Sequence, residues 1–179
     1  TRRSSDLLPL RGLERREIIM ETPVSTQWID QYLGISDIDN PSFEEVRNFM
    51  ILWNLFESLL FQGSYSNLKA IHKSQSLQLD KQLITDTITY FRNRYIANNA
   101  TTPYYANLRL RHNDNEPLIK DVLLGKINNE SETVLAIIII IYRYRNNLFH
   151  GNKAVVSWIA KIDNFIHANR FLIDCLESI

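Results

Sequence analysis

The residues best suited to chemistry lie in one short stretch, Tyr142-Arg143-Tyr144-Arg145-Asn146-Asn147-Leu148-Phe149-His150-Gly151, directly after the most hydrophobic run of the chain, Ile137 to Ile141. Arg145 and His150 are five positions apart and supply two parts of a metal-free RNA cleavage. An imidazole, with its ordinary pKa of about 6.5, can remove the 2′-hydroxyl proton near neutral pH and return a proton to the leaving oxygen. The phosphorane-like transition state gathers negative charge on its non-bridging oxygens. A planar, permanently charged guanidinium stabilises that charge through paired donors. The products of such a reaction are a 2′,3′-cyclic phosphate and a 5′-hydroxyl.

Spacing constrains this reading. Five residues of a regular helix turn through roughly 500°, which leaves the two side chains roughly 140° apart. They converge in one of two ways: the helix ends near Phe149, as Gly151 suggests, or two copies of the stretch meet across a dimer. A blander reading has Arg145 and Asn146 satisfying the last helix carbonyls while His150 caps the end. Arg143 points to a different face, as a phosphate contact or a surface charge, and Lys153 follows closely enough to reach a phosphate.

The run Arg145-Asn146-Asn147-Leu148-Phe149-His150 resembles the R-x4-H signature of HEPN domains, in the Arg-Asn-x-x-x-His-Gly form that many members carry. The resemblance extends from about Ser42 onward and is sharp only over the ten residues above. It implies a small all-helical bundle that forms a homodimer, with the active site a composite at the two-fold interface. Many members are metal-independent ribonucleases of toxin–antitoxin and anti-phage systems. The implied catalytic set is Arg145, His150 and Asn146, with Asn146 orienting phosphate or His150. Several families of this type bring an early-helix acid to the motif, which singles out Glu57, either holding Arg145 or orienting His150. Its alternative is a solvated surface glutamate. The implied partners are RNA and a cognate antitoxin or regulator, in the cytoplasm, with no cofactor.

Composition sets the frame. The 179 residues are 45% hydrophobic and 22% charged, ordinary values that predict one domain with a real core. Lys+Arg and Asp+Glu are both 20, so no overall basic field announces nucleic acid, and an RNA site must be a local patch. Such a patch is offered by Tyr90-Phe91-Arg92-Asn93-Arg94-Tyr95 with Tyr104, Tyr105, Arg109, Arg111 and His112, since bases stack on rings while cations take phosphate. Half of these aromatics also fit a core face. The four histidines and Cys175 form no ligand cluster, so no metal is expected. The glycines form no phosphate-binding loop, no nucleophile elbow is present, and the apolar run is too short to span a bilayer. No signal-peptide pattern opens the chain.

Periodicity predicts an all-α fold, an up-and-down bundle with additional short helices. Residues 1–25 are a basic flexible or docking arm, and 26–179 are a single helical domain. A short helix is expected over 26–33. Ser42 and Glu45 form a reciprocal capping pair, followed by the stripe Phe43, Val46, Met50, Trp53, Phe56 and Leu60 and a stop at Gly63. A short helix follows at 67–73, and Asp80 caps another carrying Ile84, Ile88, Phe91 and Tyr95. The stretch 98–116 looks like loop, then 117–124 a short helix closed by Gly125. Asn129 and Glu132 cap a central helix through Phe149. A last helix from about Lys153 buries Val155, Ile159, Ile162, Ile166, Ile173 and Leu176. No hairpin is expected. Two rival readings stand beside the ribonuclease: a non-catalytic HEPN module that binds nucleotide or a partner, and an unrelated helical interaction domain carrying the motif by accident.

Overall fold

The computed structural model describes residues 41–149 and 161–179. The expected arm, the helix at 26–33, His150, Gly151 and Lys153 lie outside the described residues. The described residues form seven helices: α1 (Pro41–Phe61), α2 (Asn67–Ser76), α3 (Lys81–Tyr95), α4 (Pro103–Ala106), α5 (Glu116–Leu123), α6 (Glu130–Phe149) and α7 (Ile162–Glu177). The all-α class is as expected. α7 packs mainly along α1 and also meets α3, while α6 is enclosed by α2, α3 and α5.

Local chemistry explains most boundaries. α1 opens at Pro41, a residue whose missing N–H costs nothing in a first turn, so the expected cap Ser42 falls inside the helix. Its end is stapled twice. The Gly63 amide donates back to the Glu57 carbonyl at 3.1 Å, with Gly63 in the left-handed region at φ +79°, and Lys69 Nζ donates to the Phe61 carbonyl at 2.7 Å. Asp80 caps α3 by accepting from the Gln82 and Leu83 amides. Asn129 and Glu132 cap α6 reciprocally: Asn129 Oδ1 accepts the Glu132 amide at 2.9 Å, and Asn129 Nδ2 donates to the Glu132 carboxylate.

α6 has almost no solvent face until its last turns. Ile137 to Ile141 are each no more than 1% exposed, which requires neighbours on every side. α1 supplies Val46, Phe49, Trp53, Phe56 and Leu60 to the core. Phe49 joins the predicted stripe, whereas Phe43 and Met50 sit at its margin.

Two expectations need correction. Residues 98–116 are not simply loop. Ile96–Ala97 (β1) and Ala100–Thr101 (β2) pair antiparallel around Asn98 and Asn99, both left-handed at φ +51° and +58°. That is the backbone of a tight hairpin turn, and asparagine adopts it at low steric cost. α4 follows at once. The second correction concerns α7. Lys161 lies at its cap with non-helical geometry, so no uninterrupted helix runs from Lys153. Its buried face carries Phe165, Ala168, Phe171, Leu172 and Cys175, while Ile173 is 42% exposed. The isoleucine series marks a flank rotated away from the core; the two phenylalanines, with more area to bury, take the inside.

Cys175 is fully buried, and removal from water pushes its thiol pKa well up. The native protein will therefore resist thiol alkylation and react only at its unfolding rate. Mass spectrometry after timed iodoacetamide treatment, with and without denaturant, measures this; stoichiometric labelling of the native chain would contradict the packing.

Candidate functional site

Each residue of α6 is displaced by about 100° from the last, so its final turns distribute the motif over several surroundings. Arg145 faces α1. Its Nη2 lies 3.7 Å from Glu57 Oε2, its Nη1 donates to Asn146 Oδ1 at 3.1 Å, and its guanidinium sits over the Phe149 ring at 5.3 Å. The Arg145 side chain is 32% exposed, so the cation is located yet reachable from solvent. Asn146 is buried, and its Nδ2 has no hydrogen-bond partner among the described residues. A buried amide donor without an acceptor costs free energy, about 1–3 kcal/mol. It stands four positions before His150 in the sequence.

Glu57 is held from several directions. Trp53 Nε1 donates to its Oε2 at 3.0 Å, and the Tyr65 amide donates to its Oε1 at 3.0 Å. Tyr65 stacks on Tyr142 with centroids 3.8 Å apart, and Trp53 lies beside both rings. The Tyr65 phenol is pushed far up by burial, then by the charge of Asp114, so it stays protonated and donates to Asn67 Oδ1 at 2.8 Å. The carboxylate is thus fixed in an aromatic surround before it meets Arg145. Glu57 lies in ion-pair range of Arg145; its other expected partner, His150, is outside the described residues.

Trp53, Tyr65 and Tyr142 are the site residues that spacing did not single out. Trp53 was accessible in principle, one turn before Glu57 on the same helix. The Tyr65 amide was not, because its approach depends on how the α1–α2 turn folds back.

Arg143 requires a correction: it is neither a surface charge nor a phosphate contact. It is 3% exposed, its Nε donates to the Leu108 carbonyl at 3.1 Å, and the same Nε lies 3.7 Å from buried Asp114 Oδ2. Asp114 in turn accepts the Arg111 amide, and Asn147 Nδ2, one turn on, donates to the Asn107 and Leu108 carbonyls. Arg143 and Asn147 together pin the loop 107–114 against α6. Burial lowers the Arg143 pKa, with Asp114 opposing that effect.

The expected RNA-stacking surface divides. Phe91, Tyr95 and Tyr105 belong to the core, and Arg92 spends its donors on the Val122 carbonyl and Asn128. Tyr90 donates to Asn164 Oδ1 and stacks on His167. Arg109, Arg111 and His112 remain exposed on the loop that Arg143 holds, and Arg94 and exposed Tyr104 lie together elsewhere.

No protein-family model, curated protein or solved structure matches this chain. Among the described residues no cluster of His, Cys, Asp and Glu is arranged to hold a metal ion, and no helix is long and apolar enough to cross a membrane.

Two stability measurements follow. Arg143→Ala leaves Asp114 buried without its cation and will lower the unfolding free energy by about 3–5 kcal/mol in urea titration; a loss below about 1 kcal/mol would mean the pair is hydrated. A double-mutant cycle over Glu57→Gln and Arg145→Gln will return a coupling of only about 0.5–1 kcal/mol, because the arginine is partly solvated. Zero coupling would show that the two groups are merely neighbours.

Proposed function

We propose that this protein is a metal-independent endoribonuclease, a HEPN-like domain acting as a homodimer with Arg145, His150 and Asn146 as its catalytic set. The observation that carries the proposal is the placement of Arg145. It is a partly exposed guanidinium, positioned by a carboxylate that is itself fixed from two sides, five residues before the imidazole of the motif. Asn146 Oδ1 accepts from one of the Arg145 nitrogens and Glu57 lies 3.7 Å from another, which leaves donors for phosphate.

In the proposed reaction His150 takes the 2′-hydroxyl proton, the oxygen attacks the adjacent phosphorus, and the 5′-oxygen leaves with a proton. Arg145 stabilises the charge on the non-bridging oxygens. The amide of Asn146, without a partner among the described residues, supports a further contact, to phosphate or to the imidazole. Glu57 and Trp53 are positioning residues that act through Arg145. Arg143 has no part in it, since its charge is consumed inside the fold. Lys153 is proposed as an additional phosphate contact. The biological setting proposed is a cytoplasmic toxin or defence effector restrained by a cognate antitoxin or regulator.

The test is cleavage of total cellular RNA in excess EDTA by wild type, His150→Ala and Arg145→Ala at matched dimer content. Both substitutions should reduce the rate by roughly 100-fold or more. Equal cleavage by all three proteins, or none by any, would refute the assignment.

A further inference from the structure

Away from Arg145, a second part of the α6 end contributes to a cavity that the ribonuclease reading does not use. Tyr144, Asn147 and Leu148 meet residues from the end of α3, from α4 and from the start of α7 around a space of about 50 Å³. That is room for about four waters or one tetrahedral anion.

Among the described residues two cations line it, Arg94 and Lys161, and no carboxylate does. Among the described residues neither cation forms an ion pair, and buried Arg94 Nε has no acceptor. The guanidinium of Arg94 lies over the exposed ring of Tyr104, 5.0 Å from its centroid. Cation–π attraction of this kind holds one face of the cation; the Tyr90 and Tyr95 hydroxyls lie beside some of its donors, and Nε is left over.

Neutral donors add to the excess. Asn164 is only 6% exposed; its Oδ1 is occupied by the Tyr90 hydroxyl, while its amide N–H groups have no acceptor among the described residues. The Tyr95 and Tyr144 hydroxyls are 2.6 Å apart, and a single hydrogen serves that contact. The second phenolic hydrogen therefore also needs an acceptor. Burial pushes both phenols well above their ordinary pKa, so both hydrogens are retained. The cavity further lies at the first turn of α7, a 16-residue helix whose N-terminus has no side-chain cap.

We propose that this cavity binds the phosphoryl group of a phosphate monoester. Positive charge from Arg94 and Lys161 matches a dianion, and the three terminal oxygens match the surplus of N–H and O–H donors. A carboxylate would leave more of those donors unmet. The apolar part of the lining, with Leu148 and Phe165, together with Tyr104, suits an ester carrying a ring. This binding goes beyond the ribonuclease proposal and does not depend on it.

The experiment is calorimetric titration of the full chain with inorganic phosphate, phenyl phosphate and uncharged phenol, at constant ionic strength. Phenyl phosphate should bind at millimolar or lower concentration, phosphate more weakly, and phenol not at all. Arg94→Gln and Lys161→Gln, each checked for an unchanged thermal transition, should each weaken phenyl phosphate by roughly tenfold. Arg145→Gln should leave it unchanged, which separates this cavity from the motif whatever the cleavage assay returns. Lack of binding by the wild type, or binding that survives both cavity substitutions, would overturn the proposal. So would binding that Arg145→Gln abolishes. Should either cavity variant unfold, Tyr104→Ala, at an exposed ring, takes its place with a smaller expected loss.

Discussion

The structure depends first on the need to hide α6. A helix whose centre is isoleucine on five consecutive positions presents apolar surface in every direction, and about 25 cal/mol per Å² favours covering each face. The other helices are arranged accordingly, α2, α3 and α5 around it and α1 with α7 completing the core. The polar residues at its end inherit that enclosure. Tyr144 faces Tyr95 of α3, Arg143 faces the loop after α4, and Arg145 faces Glu57 of α1.

This makes two arginines on one helix physically different groups. Arg143 is sealed against Asp114 and a backbone carbonyl, where its charge holds a loop and is lost to any ligand. Arg145, two residues on and about 200° around the axis, keeps a solvent-facing edge. Sequence proximity gave no basis for ranking them in burial. The decision belongs to the loop 107–114, whose unpaired carbonyls and buried aspartate require a donor from α6.

Legibility followed the range of the interaction. Caps and periodicities are local, so Asp80, the Asn129–Glu132 pair and the buried face of α3 could be read directly. The hairpin at Asn98-Asn99 was missed because asparagine reports left-handed geometry less plainly than glycine, and because two-residue strands leave no alternation to detect. α7 misled because it carries two apolar flanks, and hydropathy alone does not say which meets α1. Within the site, Arg145, Asn146 and Glu57 were legible as candidates. The aromatic surround of Glu57 was not, since the Tyr65 amide reaches the carboxylate only after the chain has turned at Gly63.

Glu57 also ties a backbone group to a side chain of another helix. One carboxylate oxygen takes the Tyr65 amide, while the other lies beside the Arg145 guanidinium. Opening of the turn after α1 therefore removes one of the contacts that fix the carboxylate facing Arg145. The Tyr65 amide proton becomes an internal gauge of that turn: its exchange with deuterated solvent reads how often the backbone lets go of the Glu57 carboxylate.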